Sequence, residues 1–446
     1  MNVRNFSEFR SEYSVFTRLA LPVLKQQVAS FFNCDVKFIA APLNFAKNRY
    51  AIDLTENSRR GFYLISDDTA LILGRVIESG NTIACFALEL TNGNFVSLRP
   101  LLQTFEGVLS HVTTYGFKSR YTQGAKEFGE SLVIETIGKH FGKGRFGYQN
   151  IVKFVDIFQR LANSKLEGEP FSTGLIISKS TSAYSLDRAD SRSGGDVLKL
   201  KSPLEVNLDF TLDKRFWYLV DGKTSFFLSG VTKKKVPVIV DTFFLNSEYN
   251  HRGSYIDSYT FSNTLKGSDI LFRVVGAGEV SILGTTGLEV LYKEGTWRAR
   301  SLSDFQYLIE KYALLPSNVA EATVSIILKI SQVRRSAIIW IPSNSNELDG
   351  ILINQNQTFR TPMSVLNTNH HSTIIRASTS DGATVINQRG QIEQYGCLVD
   401  MSKLEVAGIS GAGEAVGQML GKNGVAVKIS QDGNIKVFYN TLKQVF

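Results

Sequence analysis

Cysteine is scarce in this sequence: Cys34, Cys85 and Cys397 are the only three among 446 residues. They stand too far apart for a CxxC metal pair, and an odd count leaves one thiol over after any disulfide. A disulfide-framed secreted fold is therefore not expected, and a reducing cytoplasm is the expected setting. Histidine is nearly as rare, with five in the chain, and no Ser/His/Asp set or Cys/His pair has local support for nucleophilic catalysis. His370 and His371 are adjacent, which turns them in different directions on a helix, and no third ligand is in view, so they do not read as a metal site. Long apolar runs are missing as well. The stretch "LALPVL" is short, broken by Pro22 and preceded by Glu8 and Glu12, which fits neither a secretory leader nor a membrane span. No other stretch reaches the ~20 apolar residues of a spanning helix, so no membrane partner is expected. Charged residues make up only 20% and aromatics 11% of the chain, the composition of packed globular domains rather than of disorder.

What the sequence does hold is a positive balance, 49 Lys and Arg against 41 Asp and Glu, for a formal net charge of +8. This favours phosphate-bearing partners without naming one. The basic residues gather only in small clusters, at Asn57–Arg60, Lys139–Gly147 and Lys233–Lys235. None continues as a helical stripe, so each reads as a solvated loop; nucleic acid is compatible with the charge but not indicated by its pattern.

The length suggests roughly three domains at ~150 residues each. Residues 1–186 read as an α/β domain. Its clearest helix, "YQNIVKFVDIFQRLANSKLEG", places Ile151, Phe154, Val155, Phe158 and Leu161 on one face and is expected to stop at Gly168. A strand pattern, "FSTGLIIS", follows, and then Asp187 to Asp196 as a flexible loop or linker. Residues 187–300 read as a mostly β middle domain. "RFWYLVDGKTSFFLSGV" suggests a hairpin around Asp221-Gly222, and Lys293-Glu294-Gly295 a second one. Gly276-Ala277-Gly278 is a turn rather than half a dinucleotide fingerprint, because strand-like "EVSIL" follows it.

Over residues 301–446, Ser301 or Ser303 caps a helix, "SAIIWIPS" is a buried strand, and Pro362 is set at the start of a helix running through "HHSTIIRAS". Strands "GATVIN" and "QIEQYGCLVD" lead to "AGISGAGEAVGQMLGKNG", a Gly-rich loop entering a short helix that ends at Gly421, and two strands close the segment. The order α-β-α-β-β-α-β-β predicts a mixed sheet flanked by helices. The expected fold class is thus multidomain α/β, or α+β.

Residues 301–446 resemble the diadenylate cyclase domain of the DisA type, which makes cyclic di-AMP from two ATP. The resemblance is carried by the order of elements and by Asp381-Gly382-Ala383 ahead of "TVI" and a turn at Arg389-Gly390. The family's Gly-Thr-Arg-His-Arg run falls at "SGAGEA", where its arginine positions hold Ala412 and Glu414 and its histidine position holds Gly413. Its Ser-Glu-Glu run aligns with Ser430-Gln431-Asp432. More loosely, the whole chain is similar to sensor proteins of bacterial conflict systems, in which a divergent DisA-like domain follows an N-terminal region; "LEGEP" before "FSTGLIIS" and "YKEGTWRARSLSDF" carry that likeness.

The resemblance implies a nucleotide groove between Asp381, Gly382 and Ala383 on one side and Ser410, Gly411, Ala412, Gly413 and Glu414 on the other, with Ser430 nearby. It implies Mg²⁺ or Mn²⁺ bound with the nucleotide by Asp381 and Asp432. The implied ligand is an adenine nucleotide or cyclic dinucleotide, and a homo-oligomer or a defence-system partner protein is compatible with it. Loss of both guanidinium forks, and a carboxylate of the wrong sign at Glu414, speak against turnover. Nothing near "SGAGEA" is expected to supply the positive charge, although the Gly-rich loop at a helix N-terminus offers backbone N–H groups to an anion and Lys422 and Lys428 are nearby in sequence. Lys428, on the face opposite Val427 and Ile429, faces solvent or a cleft. The leading expectation is a nucleotide-binding sensor with an inactive cyclase-like domain. Two alternatives stay open: a working nucleotidyltransferase with Asp381 catalytic, and a nucleic-acid-binding or docking scaffold. Without the resemblance, Asp381-Gly382 is ordinary turn chemistry ahead of a strand.

Overall fold

A computed structural model describes residues 16–54, 60–78, 81–115, 125–143, 146–170, 172–179, 181, 195–206, 213–232, 236–245, 258–265, 267–344, 350–354, 361–400, 402, 411–440 and 442–446. Residues 187–194 of the expected linker, the Lys233–Lys235 cluster and most of the Asn57–Arg60 cluster lie outside these. The chain combines helices with mixed sheets, as its patterning implied.

In the first layer, β1 (Asp35–Ile39), β2 (Phe62–Ser66), β3 (Thr69–Glu78) and β4 (Asn81–Thr91) form an antiparallel sheet in the order β1-β4-β3-β2. With it go α1 (Leu21–Phe32), α2 (Pro42–Tyr50), α3 (Arg99–Tyr115), α4 (Ala125–Phe141) and α5 (Tyr148–Ala162). Helix α5 buries Ile151, Phe154, Val155, Phe158 and Leu161, the face read from the sequence. It ends at Ala162, short of Gly168. Glu167 (φ 52°) and Gly168 (φ 89°) instead form the turn between β5 (Lys165–Leu166) and β6 (Glu169–Pro170), because two successive left-handed residues suit a tight hairpin.

The second sheet has eight strands: β7 (Thr173–Ile177), β8 (Gly195–Glu205), β9 (Ser225–Val231), β10 (Pro237–Leu245), β11 (Ile270–Gly276), β12 (Glu279–Gly284), β13 (Leu288–Lys293) and β14 (Thr296–Ser301). They lie in the order β14-β13-β12-β11-β7-β9-β10-β8, and β7 runs parallel to β9. Strand β7 precedes residue 187 yet belongs to this sheet. Its central strands β7, β9, β11 and β12 are largely buried apolar runs because both faces are covered there. Leu175, Ile177, Phe227, Phe272 and Ile282 face the core built with α1, α3, α4 and α5, whereas Ile176, Phe226, Leu228, Leu271 and Leu283 face the opposite core.

One expected hairpin is absent. "RFW" lies in a short helix, α6 (Lys214–Trp217), capped by Asp213, whose carboxylate accepts from Arg215 N at 3.1 Å. The Asp221 carboxylate then accepts from the backbone N–H groups of Lys223, Thr224 and Ser225 at 2.8, 2.7 and 2.9 Å. A side chain that captures three backbone donors curls the chain into β9, so no first strand forms. The Lys293-Glu294-Gly295 hairpin is present, with φ of 51° and 77° at Glu294 and Gly295, and Gly276-Ala277-Gly278 is the turn from β11 to β12.

After α7 (Ser258–Thr264) and the end of β14 come α8 (Leu302–Tyr312), α9 (Ser317–Gln332), β15 (Ala337–Pro342), α10 (His371–Ser378), β16 (Ala383–Ile386), β17 (Ile392–Cys397), α11 (Ala412–Gly421), β18 (Gly424–Ile429), β19 (Ile435–Tyr439) and β20 (Leu442–Val445). The element order is the one read from the sequence, with a second helix, α9, ahead of β15 and with β20 added at the end. The sheet runs β17-β16-β15-β18-β19-β20, and only β15 and β16 are parallel. Ser301 caps α8, accepting from Asp304 N at 3.2 Å. Pro362 does not begin a helix: Ser364 bridges to Gln391, and the helical turn starts at Thr368, where the Asn367 side chain accepts from Asn369 N at 3.1 Å.

Strand alternation gives this sheet two buried faces as well. Ile339, Ile341, Val425, Val427 and Ile429 meet α8, α9 and α10, in a core shared with the eight-stranded sheet. Trp340, Val385, Ala426 and Phe438 meet Met419 and Leu420 of α11. The α8–α10 layer is thus common to both sheets. Asp304 of α8 also accepts hydrogen bonds from Asn94 at 2.6 Å and from Ser97, which ties the first layer to the third.

Candidate functional site

The register of the six-stranded sheet decides what meets what. Ile338 of β15 lies opposite Ala383 of β16 on one side and Lys428 of β18 on the other, and Lys428 lies opposite Lys436 of β19. The Asp381-Gly382 turn therefore opens at the same end of the sheet where β18 runs out into Ser430. Helix α11 starts there too, since a Cβ on Gly413 would sit 2.8 Å from Lys428 Cε. The segments named from the sequence are brought to one end of one sheet.

Within that end, several residues have plain packing roles. Gly382 has φ +99°, and a Cβ there would lie 2.6 Å from the Gly396 carbonyl carbon of β17, so glycine is required whether or not anything binds. Ala383 is buried in the core beneath α11. Asp381 is exposed beside them. Gly411 (φ 106°, ψ 144°) sits at the N-cap of α11 in a region open almost only to glycine. Ala412 is exposed and Gly413 half-buried, while Ser410 lies outside the described residues.

The structure corrects the expectation that no positive charge lies near the Gly-rich loop. Three lysines reach it from across the sheet. Glu414, in the first turn of α11, is ion-paired with Lys436 at 2.7 Å and with Lys443 at 3.0 Å. Burial opposes its ionisation, but the two ammonium groups outweigh burial and hold its carboxyl below the usual range. Lys428 donates to Ser336 Oγ. Burial, with the nearby charge of Lys436, lowers the Lys428 ammonium below the ordinary lysine value, although Asp432 pulls the other way. Lys422, by contrast, is exposed at the far end of α11.

Asp432 closes the β18–β19 turn. Its carboxylate accepts from Asn434 N at 3.1 Å and Asn434 Nδ2 at 2.6 Å, and Ser430 lies in the same turn, its carbonyl accepting from Gly433 N at 2.8 Å. Strand β15 stands between this turn and Asp381. Among the described residues, no group of three or more His, Cys, Asp and Glu side chains is arranged to hold a metal. His370 and His371 take separate structural partners. His370 Nδ1 accepts from Ser364 N at 3.0 Å; His371 Nε2 donates to Val365 O at 2.7 Å and its Nδ1 faces Lys329 at 3.0 Å.

Two cavities lie elsewhere. The larger, about 920 Å³, is enclosed by Asn33, the Asp67-Asp68 and Asn92–Asn94 loops, α8 and β20. The smaller, about 100 Å³, lies over β11–β14 and is floored by a buried ionic cluster that the sequence reading did not identify. Glu289 is fully buried there between Arg300 at 2.7 Å and Arg273 at 3.6 Å. A signal was present: Arg298 and Arg300 in "TWRARS", and Glu289 in "LEVLYK", are charges set among apolar strand neighbours at a spacing of two. Neither cavity is lined by the Asp381 turn or the start of α11.

No protein-family model matches the chain, and no curated protein is detectably similar to it.

Proposed function

We propose that the six-stranded domain binds the phosphates of a nucleotide at the sheet end bounded by Asp381-Gly382-Ala383, Gly411–Glu414 and Ser430, and acts as a sensor rather than as a cyclase. The observation that carries this is the meeting of Lys428, Lys436 and Lys443 with the N-terminus of α11. The first amides of a helix have no intrahelical acceptor and carry the positive end of its dipole, which suits a phosphate. Three ammonium groups outnumber the Glu414 carboxylate and Asp432, which acts on Lys428, and so leave a smaller positive surplus, and glycine at 413 gives Lys428 room to cross the helix start.

The same chemistry argues against efficient turnover. Lysine is a point charge and lacks the two-pronged guanidinium geometry that clamps a phosphoryl group during transfer. A Mg²⁺ or Mn²⁺ carried on the nucleotide would find Asp381 exposed and Asp432 already engaged in its turn. A role in bacterial defence is the part of the proposal that the resemblance, and not the geometry, supports.

The test is mass spectrometry of small molecules that co-purify with the full chain, followed by incubation with ATP and Mg²⁺ or Mn²⁺. A bound adenine nucleotide or cyclic dinucleotide with no new product supports the sensor. Robust formation of cyclic di-AMP would replace the sensor with an enzyme.

A further inference from the structure

A second concentration of charge lies away from the proposed nucleotide site, at the smaller cavity between β11–β14, the end of α9 and the β18–β19 turn. Among the described residues that line it are five cations, Arg273, Lys293, Arg298, Arg300 and Arg334, and two carboxylates, Glu279 and Glu289. Both carboxylates are already engaged. Glu289 accepts from Ser258 at 2.5 Å and Ser281 at 2.6 Å besides its two arginines. Glu279 is flanked by Lys293 at 3.4 Å and by Arg334. Arg298 Nη1 donates to a neutral acceptor, Asn434 Oδ1, at 2.9 Å. The cations grade from Arg273 on the floor, 1% exposed, to Arg334 at the mouth, with 49% of its side chain exposed.

We infer that this cavity is a binding site for one tetrahedral oxyanion, a phosphate or a phosphoryl group on a small molecule, separate from the proposed nucleotide site. A partly buried surplus of positive charge is costly until an anion neutralises it. Guanidinium groups present parallel N–H donors that match phosphate oxygens, and Arg298 and Arg300, two apart on β14, point to the same face of the sheet. The volume, about 100 Å³, suits a single phosphoryl group and falls well below the roughly 300–1,000 Å³ of pockets that enclose drug-sized ligands.

The β18–β19 turn comes up against this cavity: Ser331 Oγ donates to Gly433 O at 2.5 Å, and a Cβ on Gly433 would lie 3.3 Å from Lys293 Nζ. Arg298, which would hold the anion, already bonds Asn434 of this turn at 2.9 Å. Ser430, at the other end of the turn, borders the proposed nucleotide site, so the two sites share one short element.

The test is titration calorimetry of the full chain with inorganic phosphate, in a chloride buffer of matched ionic strength, repeated with glycerol phosphate. Saturable phosphate binding is expected, weakened roughly tenfold or more by Arg298→Gln, because a charge-assisted bond is lost. Arg334→Gln, at the exposed mouth, should weaken it without endangering the fold, and Lys139→Gln, which removes one surface charge elsewhere, should leave it unchanged. Binding of phosphate alone identifies the free ion as ligand, and equal binding of glycerol phosphate identifies a phosphoryl headgroup. The inference is overturned if phosphate shows no saturable binding beyond chloride, or if binding survives Arg298→Gln and is lost in Lys428→Gln.

Discussion

Replacing Glu289 by Gln probes the ionic cluster inside the eight-stranded sheet. Glu289 is fully buried, and its carboxylate meets Arg300 at 2.7 Å, Arg273 at 3.6 Å and the hydroxyls of Ser258 and Ser281. Burial alone would push its carboxyl up; Arg300 and Arg273, with the two hydroxyls, outweigh burial and hold it below the usual range. Gln keeps the shape and one acceptor oxygen but leaves Arg273, 1% exposed, without its counter-ion. Breaking a buried ion pair from one side costs about 3–5 kcal/mol. Glu414→Gln is the reference, because its partners Lys436 and Lys443 keep 30% and 43% of their side chains exposed, and such pairs contribute about 0.2–1 kcal/mol. Urea denaturation followed by tryptophan fluorescence reads the difference, with Trp297 on β14 as a local reporter. The pH dependence has a definite sign. A carboxyl held low in the folded state stabilises fully above its unfolded value, about 4.3, and loses that contribution as pH falls through the folded value. Wild type and Glu289→Gln should therefore converge in acid. Equal losses for Glu289→Gln and Glu414→Gln at pH 7, or a gap that persists in acid, would refute the reasoning.

Gly382→Ala should destabilise the protein at the six-stranded sheet by about 1–3 kcal/mol from the left-handed backbone alone, with a further loss from the 2.6 Å approach to Gly396; a denaturation midpoint equal to wild type would contradict the assigned turn. Asp304→Ala should cost about 1–3 kcal/mol and increase proteolysis near Asn94–Ser97, because it removes the acceptor for Asn94, Ser97 and the first layer's tie to α8. Nucleotide binding should weaken as pH rises, beginning below the ordinary lysine value, because Lys428 loses its charge early; Lys428→Arg should flatten that profile in titrations between neutral and alkaline pH.

Much of the C-terminal architecture was legible because its strands are short apolar runs bounded by Gly and polar turns, and because α11 begins and ends at glycines. The misreadings have local causes. "RFWYLVDGK" carries strand-like residues, but the side chains of Asp213 and Asp221 take backbone donors that a strand would have paired across a sheet. Pro362 is compatible with a first helical turn, yet Asn367 offers a better cap five residues later. The lysine group around Glu414 was hidden for a different reason. Lys428, Lys436 and Lys443 sit on three strands, and only the pairing of β18 with β19 and β19 with β20 puts them beside the start of α11. The Glu289 cluster depends in the same way on the register of β11 to β14. Long-range register is what single-sequence periodicity does not contain.

The most direct test of the central claim is calorimetric titration of ATP and of cyclic di-AMP into the full chain and into Lys428→Glu, which reverses the charge at the start of α11 without touching the buried cores. Saturable binding of at least one ligand to the wild type, weakened roughly tenfold or more in the variant, is the expected result. The same affinity in both proteins, or no saturable binding of either ligand to the wild type, would contradict it.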